Sequence, residues 1–422
     1  MSNNLASNTQ ATLSKDILNT FEGMRTISKT VNTQFLADAI NANTGDTVFI
    51  KRPTRFKSVR TSDGDITAET PNDITTGKAK GVVQDFITVE TQWSILEEAI
   101  ALNQLQELVI EPMMTEMCNE LELSFGQFAL KNCNLSIGTP GTAADGWGDV
   151  AQAGGLMKSM SFPKGDRNYL INPFSEVALA EVQRSIGAAD ALVNPAFKDA
   201  VINSNFAGMR VMTSDSLSTF TAGNSADRIG AIVGTPIATY VNAKDSMEQV
   251  ISLSGLTANG TISAGEVIEV TGRNRLNMAT RQPILDQTGN PILWRAIVTT
   301  DAVIDGAGAV TIIVAGPAIK EANQQYDTVQ TALTAGDVVT LKHSVSTLYQ
   351  PNMFYHKNAF AIGSVPLPKL SAQDTLMKTK DGLQIRMSRG SSIRGNSQVL
   401  RLDLLPAFGS LNPFLAGQAY GI

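Results

Sequence analysis

The chain runs to 422 residues, yet it holds only two histidines, His343 and His356, and two cysteines, Cys118 and Cys133. Neither pair falls in a metal-binding or nucleophile spacing. This scarcity excludes most zinc, thiol and histidine acid–base chemistry. Charged residues are also few, 17 % of the chain, against about 25 % in an ordinary soluble protein. A surface so poor in charge is expected to be covered in part by sister subunits, the alternative being a Ser/Thr/Asn-rich solvated surface. No run reaches ~18 apolar residues, so no membrane-spanning helix is expected. The first ten residues carry neither a basic cluster nor an apolar run, so no secretory signal is expected.

What is present is a large apolar fraction, 43 %, enough for a sizeable core. At ~100–200 residues per domain the length suggests two or three domains. The net charge of −6 argues against a dedicated nucleic-acid reader, which displays a basic stripe. It leaves open the enclosure of nucleic acid without a grip on it. Cys118 and Cys133, 15 residues apart in one helical region, would lie ~22 Å apart at the helical rise. That is too far for a disulfide, and both read as reduced core thiols.

Residues 1–44 read as an arm, polar up to Leu13, with a short amphipathic helix opening at Ser14-Lys-Asp-Ile17. Residues 45–93 read as a long β-hairpin. Its outgoing strand leads into five basic residues in ten, Lys51, Arg52, Arg55, Lys57 and Arg60. Its middle, Asp63-Gly-Asp65 through Pro71-Asn-Asp73, is acidic and turn-rich. Its return, Val82 to Trp93, alternates as a strand does. Such a bipolar hairpin suits a tongue between subunits; a solvated charged hairpin is the alternative. Ser94-Ile-Leu-Glu97 has the form of a capping box. It predicts a helix over 94–131 of ~55 Å if straight, with Pro112 either kinking it or starting a second helix.

Mixed α/β texture follows: a helix from Trp147 to Met160, a strand at Tyr169–Pro173, a helix from Phe174 to Ser185 and a strand at Gly208–Thr213. From 223 to 346 short runs recur between turns: Ile229–Val233, Gln249–Leu253, Glu266–Val270, Leu293–Thr299, Val310–Val314 and Val338–Lys342. Six such strands predict a small β-barrel or sandwich, with a hairpin turn at Asp305-Gly-Ala-Gly308. Because α/β texture resumes afterwards, this block reads as an inserted domain. Asn352 to Ile362 reads as a strand, and Leu383–Met387 and Gln398–Leu405 are expected to close the parent sheet.

No phosphate-binding loop is present. Asp286-Gln-Thr-Gly289 is a degenerate four-residue match to a catalytic aspartate signature within a turn. His343 and His356 each lie in strand-like surroundings that favour a structural role. No nucleophile signature accompanies them.

The order of parts (arm, charged hairpin, long helix, α/β body, β-barrel insert, return) resembles the major capsid proteins of tailed phages with the Hong Kong 97 fold. Within that group the chain is most similar to the short-tailed P22-type branch. Trp147-Gly-Asp-Val-Ala151 with Tyr169-Leu-Ile-Asn-Pro173, Asn205-Phe-Ala-Gly-Met209 through Thr213, and Asn352 to Ile362 with Pro366-Leu-Pro368 carry the likeness. It implies an α+β, HK97-like capsid fold with an inserted six-stranded β-barrel domain. The domains would be an N-terminal arm (1–44), extended hairpin loop (45–93), spine helix and peripheral domain (94–145), axial and peripheral α/β region (146–222), inserted barrel (223–346) and a return to the peripheral and axial domains (347–422).

The resemblance further implies an icosahedral shell protein of the virion with no catalytic site and no cofactor. It implies pentamers and hexamers assembled in the host cytoplasm, with a scaffolding protein and a portal as partners. The shell would enclose double-stranded DNA without sequence-specific binding and expand on maturation. The five basic hairpin residues become candidate intersubunit contacts. Lys244, Asp245 and Glu248 join them, because Tyr240 to Glu248 occupies the place of a family loop that reaches neighbouring capsomers. Asp16 and Glu22, on the arm helix, are candidate scaffolding contacts. Two other classes compete: a β-rich assembly subunit such as a tail tube, fibre or surface layer, expected to lack the long helix, and a hydrolase using paired carboxylates.

Overall fold

The structure, a computed structural model, describes residues 18–36, 45–94, 109–163, 165–185, 202, 205–371, 374–392 and 394–422. The chain forms two compact units, each gathered from three stretches. One comprises Met1–Phe49, Lys80–Gly126 and Phe360–Gly409, the other Ile50–Ala79, Gln127–Ala359 and Ser410–Ile422.

The first unit is built on two four-stranded sheets. In one, Thr47–Arg52 neighbours Gly77–Val83, which neighbours Pro406–Ser410 and then Phe360–Ser364. In the other, Thr375–Lys378, Gln384–Ser392, Ser397–Leu404 and Ile87–Ser94 follow in order. The helix Glu111–Lys131, with Pro112 as its second residue, follows directly on helical residues 109–110. Met114, Met117, Leu121 and Phe125 recur at helical spacing and are fully buried. Phe125 meets Phe360 and Phe408 edge-on, at centroid distances of 6.3 and 5.1 Å. The same helix turns buried Glu122 toward the short helix Ile27–Thr30, whose first N–H, of Ile27, donates to its carboxylate at 2.6 Å. Ser28 donates to it from both backbone and hydroxyl. In the second sheet, buried Asp403 accepts from Arg386, Arg401 and Thr88 at 2.6, 2.7 and 2.8 Å. Burial alone would raise its pKa, but these donors outweigh it and hold the carboxyl below its ordinary range.

The second unit contains a six-stranded mixed sheet in the order Leu135–Ile137, Ala416–Ala419, Asn352–His356, Arg167–Ile171, Met209–Thr213, Asn205–Phe206. The helices Trp147–Ser159 and Pro173–Ser185 belong to the same body. Val150, Leu156, Tyr169, Phe354 and Phe414 share its core. Between Met209–Thr213 and Asn352–His356, the two strands that flank Arg167–Ile171, the chain makes a closed barrel. Its order is Glu248–Ser254, Val310–Ala315, Leu293–Val298, Val267–Asn274, Val338–Leu341, Ile229–Ile232. All six expected strands are the barrel's strands. Period-two alternation puts Ile251, Leu253, Trp294, Ala296, Ile312 and Val339 inside. The turn at Asp305 is held by its own carboxylate, which accepts from the N–H groups of Ala307 and Ala309.

A buried polar chain seats the barrel. Val267 N–H donates to His343 Nδ1, so Nε2 carries the proton toward Tyr420 Oη at 2.8 Å. Tyr420 donates to Gln418, and Gln418 Nε2 donates to the Gly265 carbonyl. His343 is thus a structural group, and burial pushes its pKa down to about 3. Cys118 and Cys133 are both buried, and neither forms a disulfide.

Four sequence expectations change. Val82–Trp93 is two strands, Gly77–Val83 and Ile87–Ser94, in different sheets. Alternation reads continuously across 84–86, but pairing partners decide where a strand ends. Asn352–Ile362 is likewise split by a helical turn at Lys357–Ala359. Gln384–Ser392 pairs with Ser397–Leu404, which in turn pairs with Ile87–Ser94, so they form their own sheet instead of closing the α/β one. Finally, Ser94 ends a strand; of the helix expected over 94–131 the structure describes Glu111–Lys131 and the helical residues 109–110 before it, and 95–108, with the rest of the expected capping box, lie outside the described residues.

Candidate intersubunit surfaces

Residues 53–76, between the strands Thr47–Arg52 and Gly77–Val83, contain no strand. The loop is pinched by Asn72, whose side chain donates to the Lys57 carbonyl at 2.8 Å and accepts the Lys57 N–H at 2.9 Å. Beyond that pinch, Asp63 and Asp65 each accept an N–H two residues on, forming successive Asx turns. Ile66 is 63 % exposed, and Phe56 and Ile74, flanking the pinch, are 58 % and 79 %. The loop thus leaves these large apolar side chains in water.

The five basic residues do not act as one patch. Arg52 is spent within the chain. Its guanidinium donates to the carbonyls of Leu411, Lys78, Lys244 and Ser410 at 2.9, 3.0, 2.8 and 3.3 Å. Burial lowers its pKa to about 10, opposed by Tyr240, Asp245 and Glu248. Arg55 is half-buried with Nη2 3.1 Å from Met278 Sδ, and burial lowers its pKa too. Lys57 is half-buried beside Asn72, whereas Lys51 and Arg60 are exposed. Of the five expected contact residues, Arg52 and Arg55 are thus engaged within the chain, whereas Lys51 and Arg60 face solvent. A guanidinium with five fixed donors is the side chain best able to collect backbone carbonyls at a junction.

The insert loop is likewise bound into its own chain. Tyr240–Ala243 is one helical turn. Behind it, the Lys244 carbonyl accepts from Arg52, and Lys244 Nζ pairs with its neighbour Asp245 at 2.6 Å. Asp245 also accepts the Lys78 N–H at 3.1 Å, and the Lys244 ammonium chiefly holds its pKa low. Glu248 opens a barrel strand. Gly77 is required here, because a Cβ would fall 2.2 Å from the Lys244 carbonyl oxygen. On the arm, Glu22 accepts the Lys380 N–H at 2.8 Å and pairs with its ammonium at 3.3 Å. That backbone donor lowers its pKa, so its carboxylate is engaged inside the first unit. Asp16 lies outside the described residues.

Gln325, Tyr326 and Arg281, which touch the hairpin, were not singled out by sequence reasoning. They lie in turns with no periodicity to mark them. Among the described residues no group of three His, Cys, Asp or Glu side chains could hold a metal ion. No helix among them is long and apolar enough to cross a membrane.

Comparison with known proteins bears on the whole chain. The family described as P22 coat protein, gene protein 5, matches residues 1–421. The major capsid protein of Acyrthosiphon pisum secondary endosymbiont phage 1 is 35 % identical over 424 residues, covering 100 % of both chains. Among solved structures, the chain is similar to Mycobacterium phage Che8 (10 % identity, TM-score 0.45, 93 % of this chain and 90 % of that one). It is similar also to the capsid of cyanophage P-SCSP1u (11 % identity, TM-score 0.42, 90 % and 84 %). The full-length match and the one-third identity together place the chain in the P22 coat protein family, as a phage major capsid protein.

Proposed function

We propose that this capsid protein assembles through pentamers and hexamers into an icosahedral, HK97-like procapsid. The shell encloses double-stranded DNA without reading its sequence and expands on maturation. The observation that carries the assembly reading is the loop 53–76, which exposes Phe56, Ile66 and Ile74 while its base is bound into its own chain. A neighbouring copy is the partner such a loop suits. A standard interface buries ~1,600 Å² in total, and apolar burial yields ~25 cal/mol per Å² before ordering losses. Many such contacts make a closed shell stable while each remains reversible, so misplaced subunits can leave.

The domain assignment follows the same reading: arm 1–44, hairpin loop 45–93, spine and peripheral domain 94–145, axial and peripheral region 146–222, inserted barrel 223–346 and return 347–422. A scaffolding protein and a portal would complete assembly in the host cytoplasm, and no reaction is assigned to the chain. The long helix Glu111–Lys131 favours this over a tail-tube or fibre subunit. The test is size-exclusion chromatography of the purified protein with negative-stain electron microscopy. Shell-sized particles, alone or with scaffolding protein, are expected; tubes or a persistent monomer under both conditions would overturn the proposal.

A further inference from the structure

The densest set of contacts that shell formation leaves unexplained lies within the second unit, where the neck of the hairpin meets the insert. Gln325 is 1 % exposed. Its Nε2 donates to the carbonyls of Arg55 at 2.6 Å and Asp73 at 2.8 Å, and its Oε1 accepts the Asp73 N–H at 3.0 Å. One amide therefore spans both sides of the neck where no strand ladder exists, and supplies the rung that pairing would have supplied. Tyr326 Oη donates to the Thr75 carbonyl at 3.2 Å. Its ring lies flat on Tyr240, with centroids 3.7 Å apart and planes within 5°. Tyr240 N–H donates to Glu321 at 2.7 Å. From the opposite side, Arg52 of the hairpin donates to the carbonyl of Lys244 in the insert loop.

We infer that the inserted domain is the clamp of the hairpin. Through Gln325, Tyr326 and Arg52 it makes the hairpin neck and the insert loop 240–248 a single mechanical element. When a second copy of this chain engages the hairpin tip, the displacement passes to loop 240–248. Engagement of the tip is thereby coupled to the insert loop across one subunit. The physical reason is that each bond in the set satisfies a backbone group that has no strand partner, so neither side shifts alone without leaving a donor or acceptor unpaired. The inference rests on the assembly reading for its consequence, but the coupling itself is a property of the single chain.

The test is hydrogen exchange, read by mass spectrometry, on the full-length protein at a concentration where it is monomeric. Gln325→Ala is expected to speed exchange about tenfold or more in 73–78. It is also expected to speed exchange in 240–248, a segment in which Gln325 makes no hydrogen bond. Asp245→Ala, a milder change at a half-buried site, is expected to speed exchange in 53–57, which Asp245 does not hydrogen-bond. Tyr326→Phe, which removes one hydroxyl, should act in the same direction should Gln325→Ala fail to fold. Acceleration confined to the segment bonded to the altered side chain would overturn the coupling. A wild-type chain that forms no shells but shows the linked exchange would sink the assembly reading and leave the clamp standing.

Discussion

The barrel and the hairpin loop 53–76 both belong to the second unit, and they are stabilised in opposite ways. The barrel closes on itself, so every strand has two neighbours and an apolar interior of its own, with Trp294, Ala296 and Ile312 wholly buried. The hairpin loop has no interior. Its neck is held by side chains from elsewhere, and its tip exposes apolar residues. One element is stable because of what it contains and the other because of what it touches. For a shell subunit the second arrangement is useful, because an element without its own core can be re-aimed by a new partner.

The sharpest way to break this contrast is to excise both elements. The fragment 223–346 is expected to fold alone and give a dispersed amide NMR spectrum, and 45–93 is expected to give a collapsed one. The barrel fragment should also associate through Tyr240, Met247, Met278, Ile284 and Tyr326, which are buried in the core shared with the α/β sheet. Next in size, Trp294→Ala is expected to lower stability by about 3–5 kcal/mol in urea unfolding, because it empties a closed interior. Ile66→Ala should stay within about 0.5 kcal/mol while reducing the yield of assembled particles.

A third difference is pH dependence. His343 titrates at about 3 in the folded chain, against 6.5 ordinarily. Between those values the unfolded chain binds a proton that the folded chain does not. Its contribution is therefore fully present above pH 6.5 and is lost as pH falls toward 3. His343→Gln should flatten this part of the urea midpoint measured from pH 7 to pH 4. The smallest effect separates two hairpin arginines. Arg60→Glu, exposed, should leave the monomer's unfolding midpoint unchanged and alter only assembly. Arg55→Glu, set against Met278, should lower the unfolding free energy by about 1–3 kcal/mol.

Much of this fold was legible in the residues. The six barrel strands could be located because alternation is local and each strand has one face inside. The helices Trp147–Ser159 and Pro173–Ser185 could be located in the same way, from stripes at 3.6-residue spacing. The candidate contacts were less legible. Arg52 and Arg60 look alike in sequence, eight residues apart with a similar charged setting. One is consumed by four carbonyls from three segments and the other is free to face solvent. Gln325 carried no signal at all, since its acceptors and donor lie some 250 residues away in the chain.

The amino-acid sequence by itself determined the elements whose pattern repeats within a few residues: the barrel strands, the helices and their buried faces. Only the tertiary structure decided which charged groups remain available to another subunit, where continuous β-patterns break between sheets, and how the hairpin is held. The reason is physical. Periodicity reflects a residue's relation to its immediate neighbours, whereas a hydrogen bond is made to whichever backbone group the fold brings within about 3 Å.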